Sequence, residues 1–153
     1  MRLVAQRVSS ARVTVGGDVV GEIAQGLCVL VGVAGSDAMS DADRLAEKIV
    51  VLRIFSRPGE SGFGGRLESS LIDIDGSMLV VSQFTLYADC KKGRRPSFTD
   101  AAAPGLGMEL YGRFVERVRA LGVNVNTGVF GADMRVEIVG EGPVTIILDS
   151  AEI

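Results

Sequence analysis

A run of polar side chains interrupts an apolar segment of the sequence and could carry chemistry. The apolar residues from Met78 to Val81 are followed by Ser82-Gln83-Phe84-Thr85. Two interpretations are open, because Ser and Thr are also common at half-exposed positions of strands. Thr85 is a candidate nucleophile, but a hydroxyl needs a neighbouring base to activate it. The chain has no histidine to act as that base, so the sequence argues against covalent catalysis by Thr85.

The absence of histidine restricts the chemistry of the whole chain. It excludes the Ser-His-Asp and Cys-His arrangements and the ligation of a metal by imidazole. Cys28 lies in an apolar run and Cys90 lies beside Lys91, so we expect one buried cysteine and one exposed, non-catalytic cysteine. Their spacing fits neither a zinc site nor a disulfide framework. We therefore expect no metal and no cofactor, and a reducing, cytoplasmic location.

Four cations follow the polar run within a short segment, at Lys91, Lys92, Arg94 and Arg95. The chain as a whole has a formal net charge of −3, so its overall charge does not attract nucleic acid. A local cluster of this kind suits a phosphate backbone. A solvated turn explains the same composition, and the residues alone leave both interpretations open.

Gly142-Pro143 is a second informative pair. A peptide bond before proline is the one place where the cis form is accessible, and glycine relieves the steric restriction on the residue before proline. A turn of this kind directs its carbonyl groups outward, where they could serve a binding site. A plain type II or type VI turn is the alternative.

Strands are predicted where apolar residues alternate with polar ones or form short runs. They fall between Leu3 and Val33, at Ile72 and Ile74, at 78–86, at 134–138 and at 144–148. We expect the strand that ends at Val33 to be buried on both faces, because its apolar residues are consecutive. Turns are expected at Gly16-Gly17-Asp18, at Asp75-Gly76 and at 140–143.

Two helices are predicted from apolar residues spaced three and four positions apart. The first is expected to begin with Ser40 as its cap and to end near Ile54. The second contains the residues from Tyr111 to Leu121 and ends at Gly122. The glycine-rich segment 57–65 lacks the Lys-Ser or Lys-Thr pair of a phosphate-binding P-loop, and we interpret it as a surface loop.

Length and composition complete the fold prediction. A chain of 153 residues has the length of one domain, covering 1–153. Its uncharged stretch from Ile23 to Ser36 is shorter than the roughly 20 residues that cross a membrane. Its first residues lack the pattern of a signal peptide. We predict a soluble α+β domain with a largely antiparallel sheet or barrel and two main helices.

Several motifs in one order resemble those of the D-aminoacyl-tRNA deacylases, small editing enzymes that free tRNA from wrongly attached D-amino acids. The resemblance covers nearly the whole chain. The segments that carry it include Gln6-Arg7-Val8, 82–89, 92–98, 127–134 and 142–145. One departure is Gly140, which stands where the family usually has asparagine.

The resemblance implies a homodimer of β-barrel subunits with active sites at the subunit interface, and a reaction without metal or cofactor. The substrate it implies is an aminoacyl-tRNA that carries a D-amino acid or glycine. Ser82-Gln83-Phe84-Thr85 would line the catalytic pocket of one subunit. A cis Gly142-Pro143 segment from the other subunit would act as a chirality gate against L-amino acids. The cations between Lys91 and Arg95 would contact tRNA phosphates.

Hydrolysis of an ester requires a nucleophile and hydrogen-bond donors for the developing oxyanion. We expect water as the nucleophile, positioned by the 2′-hydroxyl of the substrate, and backbone N–H groups near Phe84 and Thr85 as the donors. Two other functions remain open. A non-catalytic dimeric RNA-binding protein would share the basic segment, and an esterase or peptidase acting on free D-amino-acid derivatives would share the pocket.

Overall fold

The strands of this protein join in one mixed sheet. The computed structural model describes residues 1–57 and 66–153. Within these ranges the strands are β1 (Arg2–Val15), β2 (Asp18–Ile23), β3 (Gly26–Gly32), β4 (Ser77–Ser82), β5 (Asn124–Thr127) and β6 (Arg135–Asp149). The helices are α1 (Met39–Val51), α2 (Pro104–Ala120) and a short 3-10 helix (Phe84–Tyr87).

β1 pairs with three other strands of the sheet. It is antiparallel to β2, β3 and β6, whereas β4 is parallel to both β3 and β5. The strands β2 and β5 approach each other, since the side-chain amide of Asn126 donates a hydrogen bond to the carbonyl of Glu22. The sheet is therefore nearly closed into a barrel. The predicted α+β fold with two main helices is confirmed, with parallel pairs on both sides of β4.

The two faces of the sheet are covered by different apolar clusters. In β3, Leu27 and Val29 pack towards the helices, whereas Cys28 packs towards Leu79 and Val81 inside the curled sheet. This strand is buried on both faces, as its consecutive apolar residues predict. The burial of Cys28 is confirmed, and burial raises the pKa of its thiol to about 11.

The first helix is present, but both of its ends differ from the prediction. Ser40 lies inside the first turn and is not the cap. The carboxylate of Asp41 instead accepts a hydrogen bond from the backbone N–H of Ala38, which precedes the helix (2.8 Å). The helix ends at Val51, and Ile54 is buried in the extended segment that follows it. Ile54 is therefore apolar because the segment after the helix packs into the core, and not because the helix continues for another turn.

The second helix agrees with the sequence pattern. α2 begins with Pro104 in its first turn, a position that tolerates the missing N–H of proline. Gly122 follows its end with a φ of 90°, the left-handed conformation that glycine adopts most readily. Arg113 on this helix forms an ion pair with Asp43 of α1 (2.7 Å). Within the described ranges, no helix is long and apolar enough to cross a membrane.

The predicted hairpin between Ile72 or Ile74 and the following strand is wrong. Residues 71–75 form turns, and β4 pairs with β3 and β5 instead of with this segment. The carboxylate of Asp73 accepts hydrogen bonds from the N–H (2.8 Å) and the hydroxyl (2.7 Å) of Ser70. These bonds lower the pKa of Asp73. They also offer the backbone a local partner that competes with strand pairing.

The segment between α1 and β4 contains the predicted glycine-rich loop, of which residues 58–65 lie outside the described residues. Before it, Phe55 pairs with Ser69 in an isolated antiparallel bridge. Next to that bridge, Arg57 forms an ion pair with Glu68. These contacts hold together the two described ends of the segment.

The close approach of β2 and β5 yields a prediction about stability. A Cβ atom added at Gly21 would lie 2.6 Å from the carbonyl oxygen of Thr127 and 3.3 Å from a methyl group of Leu79. We expect Gly21→Ala to lower the free energy of unfolding by about 1–3 kcal/mol, because backbone must move to relieve the overlap. Urea unfolding followed by circular dichroism measures this change.

Gly112 provides the matched control for this substitution. It lies within α2, and a Cβ atom there would meet nothing within 4 Å. We expect Gly112→Ala to raise the free energy of unfolding by about 0.5–1 kcal/mol, because alanine has the higher helix propensity. Equal effects of the two substitutions would contradict the assignment of Gly21 to a barrel contact.

Candidate active site

The polar run of the sequence lies where β4 ends and the chain turns. Ser82 is the last residue of β4, and the N–H of Gln83 donates a hydrogen bond to the carbonyl of Val31 in β3 (2.7 Å). Phe84 then begins the 3-10 helix, which ends the regular strand pairing. The predicted strand to residue 86 is therefore shorter than expected, since the backbone turns after Gln83.

Two backbone N–H groups in this turn are free to donate. The first helical hydrogen bonds begin with the N–H of Leu86, which donates to the carbonyl of Gln83 (3.2 Å), and the N–H of Ala88 donates to that of Thr85 (3.0 Å). In the part of the chain that the structure describes, no acceptor is found for the N–H groups of Phe84 and Thr85. Adjacent N–H groups of this kind can stabilise an oxyanion.

The hydroxyl of Thr85 contacts an amide and not a base. It accepts a hydrogen bond of 2.5 Å from the side-chain amide of Gln83. Among the described residues, this is the one side-chain hydrogen bond of Thr85, and the residue is exposed. A neutral amide does not remove a proton from a hydroxyl. The arrangement suits a role in orientation.

An apolar pocket of about 570 Å³ opens beside this turn. Its aromatic lining consists of Phe84, Phe98, Tyr111 and Phe130. Phe84 and Phe98 meet edge to face with ring centroids 5.1 Å apart, and they are 58% and 39% exposed. Ser82 and Gln83 also line the pocket, whereas Thr85 does not. The polar turn and the apolar pocket therefore form one concave site.

Tyr111 supports the floor of this apolar pocket. Its hydroxyl donates a hydrogen bond to the carbonyl of Val80 in β4 (2.9 Å). Burial raises the pKa of Tyr111 to about 12. The hydroxyl is therefore neutral at physiological pH and links α2 to the sheet.

The Gly142-Pro143 pair does not form a turn between two strands, which corrects the prediction for 140–143. Both residues lie inside the single strand β6, and their peptide bond is cis. Gln6 pairs with Thr145 and Val8 pairs with Gly140, so residues 141–144 lie opposite one residue of β1. Because pairing resumes on both sides, the strand continues and the extra residues form a wide bulge.

Arg7 is the residue of β1 opposite this bulge, and it is 8% exposed. Its guanidinium donates hydrogen bonds to the carbonyls of Glu141 (3.0 Å) and Ile54 (2.7 Å). Gly142 has a φ of 137°, and a Cβ atom there would lie 2.6 Å from the N of Val144. The conformation of the bulge thus requires glycine at 142 and is braced by Arg7.

The basic segment projects from the same turn. Asp89 and Ser97 pair through two backbone hydrogen bonds (2.8 and 2.9 Å), and the residues between them are exposed. Lys91, Lys92, Arg94 and Arg95 form no ion pair among the described residues. Cys90 is exposed there, as expected. The cations are therefore available to a partner.

The structure brings some of the predicted site residues together and leaves one pair apart. Ser82, Gln83 and Phe84 line the apolar pocket, and the basic segment lies in the chain between two of its lining residues, Phe84 and Phe98. Gly142-Pro143 does not line this pocket. Within the described ranges, no three His, Cys, Asp or Glu residues are placed to hold a metal ion.

Sequence reasoning misses three aromatic residues of the pocket and the brace at Arg7. The sequence pattern places Tyr111 on a helix face, where an apolar position indicates only burial. Phe98 and Phe130 lie outside the helices and strands, so they produce no periodic pattern. An aromatic residue followed by glycine in an irregular segment, as in Phe130-Gly131, is a signal that could have indicated Phe130, whereas Phe98 has no such neighbour.

Comparisons with known proteins identify the family. A sequence profile of the family described as D-Tyr-tRNA(Tyr) deacylase matches residues 4–149. A D-aminoacyl-tRNA deacylase of Fervidobacterium nodosum is 52% identical over 153 residues, which cover 100% of this chain and 99% of that protein. One of a Roseiflexus species is 56% identical over 151 residues, or 99% of this chain and 94% of that protein.

Solved structures share the fold. A structure described as "c-Myc DNA Unwinding Element Binding Protein" has a TM-score of 0.87 and 36% identity, covering 97% of this chain and 98% of the other. A probable eukaryotic D-amino acid tRNA deacylase has a TM-score of 0.83 and 19% identity, covering 96% and 97%. The second likeness concerns the fold alone. Since the profile and the relatives match almost the whole chain, this protein belongs to the D-aminoacyl-tRNA deacylase family.

Proposed function

We propose that this chain hydrolyses the ester that joins a D-amino acid to the terminal adenosine of tRNA, and that it acts in the cytoplasm as one domain over residues 1–153. The observation that carries the proposal is the apolar pocket, lined by Phe84 and other aromatic residues, whose polar wall consists of Ser82 and Gln83. A flat aromatic and aliphatic lining suits a nucleoside, and the polar wall suits the ester beside it. Membership of the family supports this substrate.

The reaction needs only water and preorganised donors. The oxygen of water attacks the ester carbonyl carbon, and the backbone N–H groups of Phe84 and Thr85 stabilise the oxyanion that forms. The bond to the 3′ oxygen of the ribose then breaks, and that oxygen takes a proton derived from the water. The products are a free amino acid and tRNA with an intact 3′ end. The substrate 2′-hydroxyl positions the water, while Gln83 and Thr85 orient the adenosine or the water.

The proposed assembly is a homodimer with its active sites at the subunit interface. β6 is paired on one edge, with β1, and its Val139 and Ile147 are 55% and 66% exposed. A long edge strand with exposed apolar side chains favours a partner surface. The Gly142-Pro143 bulge lies on this strand, outside its own subunit's pocket. In the proposed dimer it enters the pocket of the second copy.

The Gly142-Pro143 bulge would select between enantiomers by exclusion. Hydrogen and side chain exchange places at the α-carbon of the two enantiomers, so a rigid carbonyl wall that admits hydrogen clashes with an L side chain. Glycine has hydrogen at both places and passes. Exclusion of this kind discriminates against L-amino acids without favouring any particular D side chain.

The first prediction about function concerns the reaction itself. We expect D-Ala-tRNA and Gly-tRNA to be hydrolysed with a kcat/KM at least about a hundredfold above that of L-Ala-tRNA, or about 2.8 kcal/mol of exclusion. Activity should persist in EDTA. Release of labelled amino acid is the measurement, with boiled protein as the control.

The same assay separates the two other functions. A non-catalytic RNA-binding protein would bind these substrates and release nothing. A general esterase or peptidase would act equally on D-alanine methyl ester or a D-peptide. Loss of activity in EDTA would contradict the metal-free reaction, and refusal of Gly-tRNA would contradict selection by exclusion.

The second prediction separates orientation by Thr85 from covalent catalysis. We expect Thr85→Ala to lower kcat by less than about tenfold, the effect of removing one hydrogen bond. A substrate that ends in 2′-deoxyadenosine should be slower by at least about a hundredfold, because its water is no longer positioned. Thr14→Ala, in β1, is the control. An inactive Thr85→Ala variant together with a trapped acyl-Thr85 adduct would refute this mechanism.

The third prediction concerns the basic segment. Replacing Lys91, Lys92, Arg94 and Arg95 with alanine should raise KM and leave kcat nearly unchanged, because phosphate contacts bind the ground state and transition state alike. The salt dependence of log KM should become shallower by about one for each phosphate that the variant no longer neutralises. Lys48→Ala on α1 is the control. An unchanged salt dependence would place the tRNA contact elsewhere.

A further inference from the structure

A second cavity, of about 710 Å³, adjoins the apolar pocket. The two meet at the bridge between Ala34 and Ala101. The N–H of Gly35 donates to the carbonyl of Asp100 (3.1 Å) across this bridge. Ala101 lines the apolar pocket, whereas Ala34, Gly35 and Asp100 line the second cavity. Two adjoining groups of one extended ligand could therefore occupy the two spaces.

The second cavity differs from the first in its chemistry. Its polar lining comes from Arg2, Ser36, Tyr87, Asp89, Lys91, Thr99 and Asp100. It therefore offers two cations and two carboxylates, and the carboxylates disfavour a bare phosphate. A neutral ring that presents both a donor and an acceptor on one edge suits this combination.

Arg2 is held in place at this cavity. Its guanidinium lies 4.9 Å from the centre of the Tyr87 ring and donates to the Leu86 carbonyl (2.9 Å) and to the Asp149 carboxylate (2.8 and 3.0 Å). These bonds use three of its five N–H groups. The remaining donors are available to a carbonyl oxygen.

Asp100 supplies the matching acceptor. Its side chain is exposed, and no hydrogen bond or ion pair to its carboxylate occurs among the described residues. Asp89 is different, since its carboxylate already accepts a hydrogen bond from the N–H of Lys91 (2.9 Å). A carboxylate reads cytosine by accepting from its N4 amine. Uracil has no such amine.

We propose that the second cavity binds the cytidine that precedes the terminal adenosine of tRNA. Asp100 accepts a hydrogen bond from the cytosine amine, and Arg2 donates to the ring carbonyl. The phosphate between the two nucleotides lies at the exposed rim beside Lys91. This inference rests on the proposed function, which places the terminal adenosine in the apolar pocket.

Short substrates test this inference directly. The D-alanyl esters of adenosine, of the dinucleotide CpA and of UpA are compared in kcat/KM. We expect CpA to exceed UpA by about tenfold, the effect of one specific base contact. Asp100→Ala should reduce this preference to about one while leaving the adenosine ester unaffected. Asp18→Ala, an exposed acid of β2 outside both cavities, should keep the preference.

A binding measurement separates this inference from the proposed function. NMR titration with unreactive CpA should shift the amide signals of Gly35 and Tyr87, and UpA should shift them less. Equal rates for CpA and UpA, with equal NMR shifts, would overturn the cytidine site while the deacylase reaction stands. If neither D-Ala-tRNA nor the short esters are hydrolysed, the proposed function fails, and the CpA and UpA titrations decide the cytidine site by themselves.

Discussion

β1 is hydrogen-bonded along both of its edges, and the other strands and the candidate site are arranged around it. One edge binds β3 and then β2, and the other binds β6. Opposite Arg7, β6 has the four residues 141–144 where β1 has one, so β6 bulges there. A buried cation needs acceptors for its N–H groups, and Arg7 finds them in the carbonyls of Glu141 and Ile54. One side chain thus positions both the bulge and the segment after α1.

The functional groups at the candidate site are neutral. The chain has no histidine, and the side chains at the end of β4 are a hydroxyl, an amide and an aromatic ring. The donors suited to stabilise negative charge are backbone N–H groups of the turn. They become available because the strand pairing of β4 ends before the 3-10 helix bonds begin. An ester is reactive enough to be hydrolysed by bound water when backbone N–H groups stabilise the oxyanion.

The charge of the site is arranged locally. The chain is acidic overall, yet the segment between the Asp89 and Ser97 pair presents four cations beside the pocket, none of them in an ion pair with another described residue. The apolar pocket and the cavity that carries Arg2 and Asp100 meet at the bridge between Ala34 and Ala101. The proposed binding of adenosine and cytidine uses the difference between the two linings. The apolar lining packs against the flat face of a base, whereas charged side chains form hydrogen bonds with the edge of a base.

Elements with a local sequence pattern were predictable from the residues alone. Consecutive apolar residues predicted the doubly buried β3, and helical spacing with Gly122 predicted α2 and its end. The polar run at Ser82 and the cations at Lys91 also marked the candidate site. Three features were not predictable in this way: Ile72 lies in a turn, Gly142-Pro143 lies within a strand, and Phe130 lines the pocket. These outcomes depend on pairing and packing between residues far apart in the chain, which hydrophobic periodicity does not encode.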